Sequence, residues 1–180
     1  MCFRNQTAGC FNVFEMSVRA VLGQQITVKA ASTLAARLVA VYGTQVQTGI
    51  EGLTHSFPAP AAILALGENI SEHLGKLVLS LRVRIRFINW HGYWQTKKND
   101  FGFCGNPEEE MQKLQAIRGI GSWTAQYIAM RAMGWPDAFL PTDAGIKKAL
   151  PDHTPKELQV LSEAWRPWRS YATVNLWNTL

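Results

Sequence analysis

Cysteine is scarce: Cys2, Cys10 and Cys104 are the only three among 180 residues, and no two form a CxxC pair. An odd, scattered set argues against a disulfide framework and against a four-cysteine zinc or iron–sulfur site within the chain. It makes a reducing cytoplasm the expected compartment. No apolar run reaches the ~18–20 residues needed to cross a bilayer, so no membrane partner is expected. The start, MCFRNQTAGCFNVFE, lacks a basic segment followed by an apolar one, so no secretory signal is expected. Acids are the minority charge, 13 against 18 lysines and arginines, for a net +5. The excess suits an anionic partner, although many inert proteins are as basic. Strand signals are few, and there are no repeats or low-complexity segments.

What the chain has is helix periodicity and tryptophan. Apolar residues recur at three- and four-residue intervals through Phe14, Val18, Val21 and Leu22. They do so again from Ile26 through Ala30, Leu34 and Leu38, with a break at Gly23 and a stop at Gly43. Shorter helices are expected in PAPAAILALG and from SEHLGKL onward. NPEEEMQKLQAI offers Asn106 as a cap, Pro107 at the first helical position and acids in the first turn. GSWTAQYIAMRAMG, PTDAGIKKAL and TPKELQVLSEAW read as further helices, the last capped by Thr154. The expected fold class is all-α. Seven tryptophans are either core and clamp packing or stacking surfaces for flat ligands.

The stretch LQAIRGIGSWTAQY joins two helices through Gly119 and Gly121. Glycine permits a positive-φ turn and a close backbone approach. Amides of such a turn, and of the helix that follows, form a donor nest for an anion such as phosphate. An ordinary tight helix–helix connection has the same spacing. Trp123 and Tyr127 lie one helical turn apart on one face, where an aromatic pair is usually core. Asp143, ending LPTD, stands where PTDAGIKKAL would want an N-cap.

LQAIRGIGSWTAQYIAMRAMGWPDAFLPTDAGIKKAL resembles the helix-hairpin-helix and Pro/Asp-loop module of base-excision DNA glycosylases. FEMSVRAVLGQQITVKAA and AWRPWRSYATVNLW narrow the resemblance to the AlkA-like 3-methyladenine DNA glycosylases, over roughly Cys10 to Leu180. The resemblance implies a two-lobed helical core. It gives Asp143 the place of the catalytic aspartate, and Trp123, Tyr127 and Trp177 the aromatic positions of the base pocket. Gly119 and Gly121, with Ser122 and Thr124 opening the next helix, would meet DNA phosphate. Hairpin carbonyls would hold a monovalent cation, K or Na, with no cofactor required. The wedge that enters the base stack falls at Gln25, where the AlkA pattern has leucine. Implied partner and setting are double-stranded DNA with alkylated bases, bound by a monomer at a bacterial nucleoid.

The chemistry suits these residue types. A glycosylase must extrude a base and break its bond to the sugar. N-alkylated purines are cationic, and stacking a cation on tryptophan is worth roughly 0.5–2 kcal/mol. Such a base is already a good leaving group, so no strong general acid is needed. A carboxylate at Asp143 could stabilise the developing sugar cation, activate water, or do both. Strand-cutting relatives carry a lysine where this chain has Trp123. Without an amine for a Schiff base, the chain reads as monofunctional. Arg166 and Arg169 could touch phosphate or be paired within the fold, and Trp165, Trp168 and Tyr171 read as clamps.

Two departures qualify the resemblance. The family carries an N-terminal β-rich lobe, whereas this chain begins almost at the first helix of the helical core, as a fragment or with the lobe lost. Second, Leu77 to Phe101 should hold a glycine-led turn and a helix of the type RSxTIxxLA. The sequence instead alternates basic and apolar residues, the look of a DNA-binding strand, then gives an aromatic cluster. The genetic code offers another reading. With each codon taken from the third base of one residue and the first two of the next, Asn89-Trp90 must read Leu and Trp90-His91 Ala. His91-Gly92 reads Arg or Trp, Gly92-Tyr93 Leu, Ile or Val, Tyr93-Trp94 Leu, Trp94-Gln95 Ala, and Gln95-Thr96 Asn or Asp. That is the helix the family pattern wants. Two compensating indels, shifting the frame between about Leu77 and Asn99, are therefore expected, and no function of Arg82, Arg84, Arg86 or Trp90. The rival to an enzyme is a non-catalytic DNA-binding domain or inactivated remnant using the hairpin alone.

Overall fold

Residues 9–77, 81–96 and 106–180 are described by a computed structural model. The elements are α1 (Val13–Leu22), α2 (Val28–Tyr42), α3 (Pro60–Leu64), α4 (Ile70–Lys76), α5 (Leu81–Thr96), α6 (Pro107–Ala116), α7 (Ser122–Arg131), α8 (Ala144–Ala149), α9 (Pro155–Leu161) and α10 (Arg169–Trp177). Among the described residues there is no strand, only an isolated bridge between Gln45 and His55. The all-α expectation holds. Two units make up the chain: Ser17–Phe101 with Ile117–Ile120, and Met1–Met16 with Gly102–Ala116 and Gly121–Leu180.

In the first of these units the apolar period does what it implies: Val18, Val21, Leu22, Ala35 and Leu38 are all buried. Thr27 caps α2 by accepting from the Ala30 amide at 3.2 Å. Helix α5 packs on α3 and α4. The segment therefore is not the strand its alternating LRVRIRF suggests. Val83, Phe87, Trp90 and Trp94 recur at helical spacing and are 5% exposed or less, so the 3.6-residue period carries more buried area than the two-residue one. Phe87, Trp90 and Trp94 lie in a row, with ring centroids 5.3 and 5.7 Å apart. Each such side chain contributes roughly 1.5–3 kcal/mol when buried. Two polar atoms of the same helix, Arg84 Nε and His91 Nε2, are buried without a hydrogen-bond partner.

In the other unit the expected caps form. Asn106 Oδ1 accepts from the Glu108 amide at 3.0 Å, with Pro107 opening α6. Thr154 and Glu157 make a reciprocal capping box at α9. Helix α6 packs on α7, and α8 on α10. Phe139, Ile146 and Leu158 form a buried apolar cluster, with Leu150, Trp165, Leu176 and Trp177 against it. Trp165 thus clamps as expected, meeting Phe139 edge-on at 5.6 Å, while Trp168 is 53% exposed and stands edge-on to Tyr171. Arg166 and Arg169 are paired within the fold. Arg169, 4% exposed, binds Asp137 through Nε at 2.7 Å and Nη2 at 3.0 Å, and Arg166 Nη1 reaches the same carboxylate at 2.5 Å. This pairing, with Ser170 Oγ donating to the Trp135 carbonyl at 2.7 Å, ties the start of α10 to the chain ahead of Asp143.

Candidate functional site

Three helices of one unit supply the site. Helix α7 starts at an extended Gly121, so Trp123 falls in its first turn and Tyr127 one turn on. Their rings stack with centroids 5.0 Å apart and planes 10° apart. Trp177, in the last turn of α10, lies 6.4 Å from the Tyr127 ring, tilted by 47°. All three aromatic residues are half-buried, so they line a surface open to solvent on one side and are not sealed into the core.

Asp143 stands among them as the N-cap of α8, with φ −63° and ψ 140°. Its Oδ1 accepts from the Gly145 amide at 2.9 Å, the Ile146 amide at 3.1 Å and Trp177 Nε1 at 2.8 Å. Its Oδ2 accepts from Trp123 Nε1 at 3.0 Å. The cap, one of the two roles weighed for this residue, is made by Oδ1 alone. Oδ1 is committed to three donors, while Oδ2 has one and keeps lone-pair capacity. Each of these four partners is a donor. The residue is 9% exposed, and in so dry a place each N–H···O⁻ bond is stronger than a neutral one.

Of the aromatic and acidic residues expected at the site, the structure brings together Asp143, Trp123, Tyr127 and Trp177. Gly145 belongs with them and went unnoticed in the sequence. A Cβ there would sit 2.7 Å from Trp177 Cδ1 and 2.9 Å from its Nε1. Glycine, a poor helix former in a first turn, was the signal: it lets the indole approach the aspartate. Ser122 is exposed at the start of α7. Thr124, one residue on from Trp123, is 2% exposed.

Gly119 and Gln25 belong to the other unit. Gly119 has φ +95°, the left-handed turn for which glycine was expected, and the Ile120 amide closes the turn on the Ile117 carbonyl at 2.9 Å. Gln25, exposed between α1 and α2, also has positive φ, +60°. Among the described residues no three His, Cys, Asp or Glu side chains group as metal ligands, and no helix is long and apolar enough to cross a membrane. Cys10 is a free, half-buried thiol whose pKa burial raises; Cys2 and Cys104 lie outside the described residues.

No protein-family model matches the chain. It is 35% identical over 171 residues to DNA-3-methyladenine glycosylase 2 of Escherichia coli, spanning 95% of this chain and 59% of that protein. It is 40% identical over 178 residues to the Mycobacterium tuberculosis protein named "Probable bifunctional transcriptional activator/DNA repair enzyme AlkA", covering 92% of this chain and 33% of the other. Among solved structures, the 3-methyladenine DNA glycosylase of Archaeoglobus fulgidus superposes with a TM-score of 0.75 at 25% identity, over 92% of this chain and 57% of that one. The chain therefore spans between a third and three fifths of these proteins' lengths.

Proposed function

From the premise that this chain belongs with the AlkA-like 3-methyladenine DNA glycosylases of the helix-hairpin-helix superfamily, we propose that it excises alkylated purines from duplex DNA. The bond cleaved is the N-glycosidic one, and hydrolysis is the whole reaction. The observation that carries the reading is the Asp143 carboxylate held by two indole N–H groups beside a stacked Trp123–Tyr127 pair.

The extruded base would lie against Trp123, Tyr127 and Trp177. An N-alkylated purine carries positive charge, and an aromatic surface in a partly desolvated site favours that charge over the neutral base. When the glycosidic bond breaks, its electron pair goes to the purine, which departs neutral, and positive charge moves to the sugar. Water then adds at C1′, its proton passing to solvent by way of Asp143 Oδ2. Asp143 Oδ2 stabilises the sugar cation and accepts from the incoming water. Oδ1, saturated by three donors, holds the carboxylate still, so little reorganisation is required as charge develops. No lysine stands at Trp123 to attack C1′, and Lys113 is paired with Glu110 at 2.7 Å, which supports a monofunctional enzyme.

The hairpin supplies backbone groups for phosphate and for a monovalent cation. Its carbonyls fit such an ion chemically: Ile117 O takes one amide and Arg118 O one side-chain donor from Asn89 at 2.7 Å, each keeping a second lone pair. The cation would fix the turn, and no step passes through it. A monomer working at the nucleoid completes the reading.

Single-turnover release of 3-methyladenine or 7-methylguanine from methylated duplex DNA tests it, wild type beside Asp143→Asn. Release by wild type alone, with DNA binding retained in the variant, is the expected result. One observation favours a second reading, a DNA-binding remnant without catalysis: Arg84 Nε and His91 Nε2 are buried unpartnered, each at a cost of about 1–3 kcal/mol. A folded wild type that binds duplex and releases nothing would establish the remnant.

A further inference from the structure

Gln25 is a glutamine in a backbone conformation made for glycine. Its φ of +60° sits in the left-handed region, which L side chains adopt rarely. Glycine would serve the turn between α1 and α2 with no such strain, so the turn alone does not account for a side chain here. Such an outlier points from conformation to use. The side chain is also held. Arg86 Nη2, from α5, donates to Gln25 Oε1 at 3.2 Å. The stem of the same arginine lies against the hairpin turn: a Cβ on Gly119 would meet Arg86 Cγ at 2.7 Å. One turn of α5 further on, Asn89 Nδ2 donates to the Arg118 carbonyl of that hairpin at 2.7 Å. Neighbouring positions of α5 therefore brace both the Gln25 loop and the glycine turn. The sequence expected no function of Arg86, because its segment departs from the family pattern.

We propose that Arg86 is a positioning residue that fixes the Gln25 side chain for entry into the base stack at the gap left by an extruded nucleotide. The assignment rests on the glycosylase reading of the chain. With Oε1 engaged by the guanidinium, the Gln25 amide presents its two N–H donors outward, suited to acceptors on the unpaired base opposite the gap. Arg86 acts through Gln25, while its stem packs under the turn at Gly119 and leaves that backbone in place.

The test compares binding to a duplex carrying a tetrahydrofuran abasic analogue with binding to the same intact duplex. A 2-aminopurine beside the gap reports insertion by its fluorescence. Arg86→Met keeps the stem against Gly119 and removes the guanidinium. Gln25→Ala, the double variant and Arg86→Lys complete the set. Loss of one hydrogen bond to a charged group predicts a roughly ten-fold fall in preference for the abasic duplex in Arg86→Met. Gln25→Ala should fall about as far, and the double variant no further than either. Arg86→Lys, which keeps charge and stem but whose ammonium stops short of Oε1, should bind intact duplex as wild type does and still lose preference at the gap. Wild-type preference in Arg86→Met or in Arg86→Lys overturns the proposal, as do multiplicative losses in the double variant. Equal weakening on both duplexes in Arg86→Met also overturns it, leaving a phosphate contact. A wild type that does not distinguish the two duplexes overturns the glycosylase reading itself.

Discussion

Asp143→Asn separates the cap from the carboxylate, because the two oxygens have different partners. Asparagine caps a helix about as well as aspartate, so its carbonyl oxygen should take the place of Oδ1, with the Gly145 and Ile146 amides and Trp177 Nε1 as donors. The amide NH2 must then take the place of Oδ2. There it faces Trp123 Nε1, 3.0 Å from that oxygen in the wild type, donor against donor. The reverse orientation would set the NH2 against three donors. Losing a charge-assisted bond and leaving an opposed indole N–H costs about 2–3 kcal/mol. In a Trp123→Phe background the opposing N–H is gone, so the same change should cost about 1 kcal/mol. The double-mutant cycle then gives a coupling of about 1–2 kcal/mol. Urea titrations followed by far-ultraviolet circular dichroism measure all four proteins. In thermal melts each kcal/mol should appear as about 2–4 °C. An equal cost in both backgrounds would refute the bond between Trp123 and Asp143, and with it the account of how the carboxylate is held.

Arg169→Met should destabilise the protein by about 1–3 kcal/mol, less than a stranded buried charge would cost, because Arg166 still pairs with Asp137. Adding Asp137→Leu should recover most of that loss, and urea midpoints check both. Burial pushes the His91 imidazole below its ordinary value of 6.5. The unfolded chain therefore takes the proton first, and stability is whole above about pH 6.5 and falls below it. Urea titrations between pH 7.5 and roughly 5 should show that limb, and His91→Gln should flatten it; an unchanged slope refutes the assignment. The shifted-frame reading requires the nucleotide sequence of Leu77 to Asn99, read one base out, to run without a stop. It further requires a chain with that frame restored to melt higher than this one; a stop codon or an unchanged melt refutes it.

Much was legible because it rests on local rules. The 3.6-residue period of Phe14, Val18, Val21 and Leu22, the caps Asn106, Thr154 and Asp143, and the glycine at Gly119 are each set by a few neighbouring residues. Reading the site needed the resemblance as well, since Trp123 and Tyr127 one turn apart describe core as readily as pocket. Three things were decided only by tertiary structure. Helix α5 has an apparent two-residue alternation in LRVRIRF, and only packing on α3 and α4 selects the helical period of Val83, Phe87, Trp90 and Trp94. Arg166 and Arg169 could have faced phosphate until Asp137, distant in sequence, closed on both. The placing of two indoles on the Asp143 carboxylate is the third. A helix cap is written within four residues of sequence, but the indoles of Trp123 and Trp177 come from 20 and 34 residues away. Hydrogen bonds of that range depend on how helices are stacked, and no local period or propensity encodes the stacking.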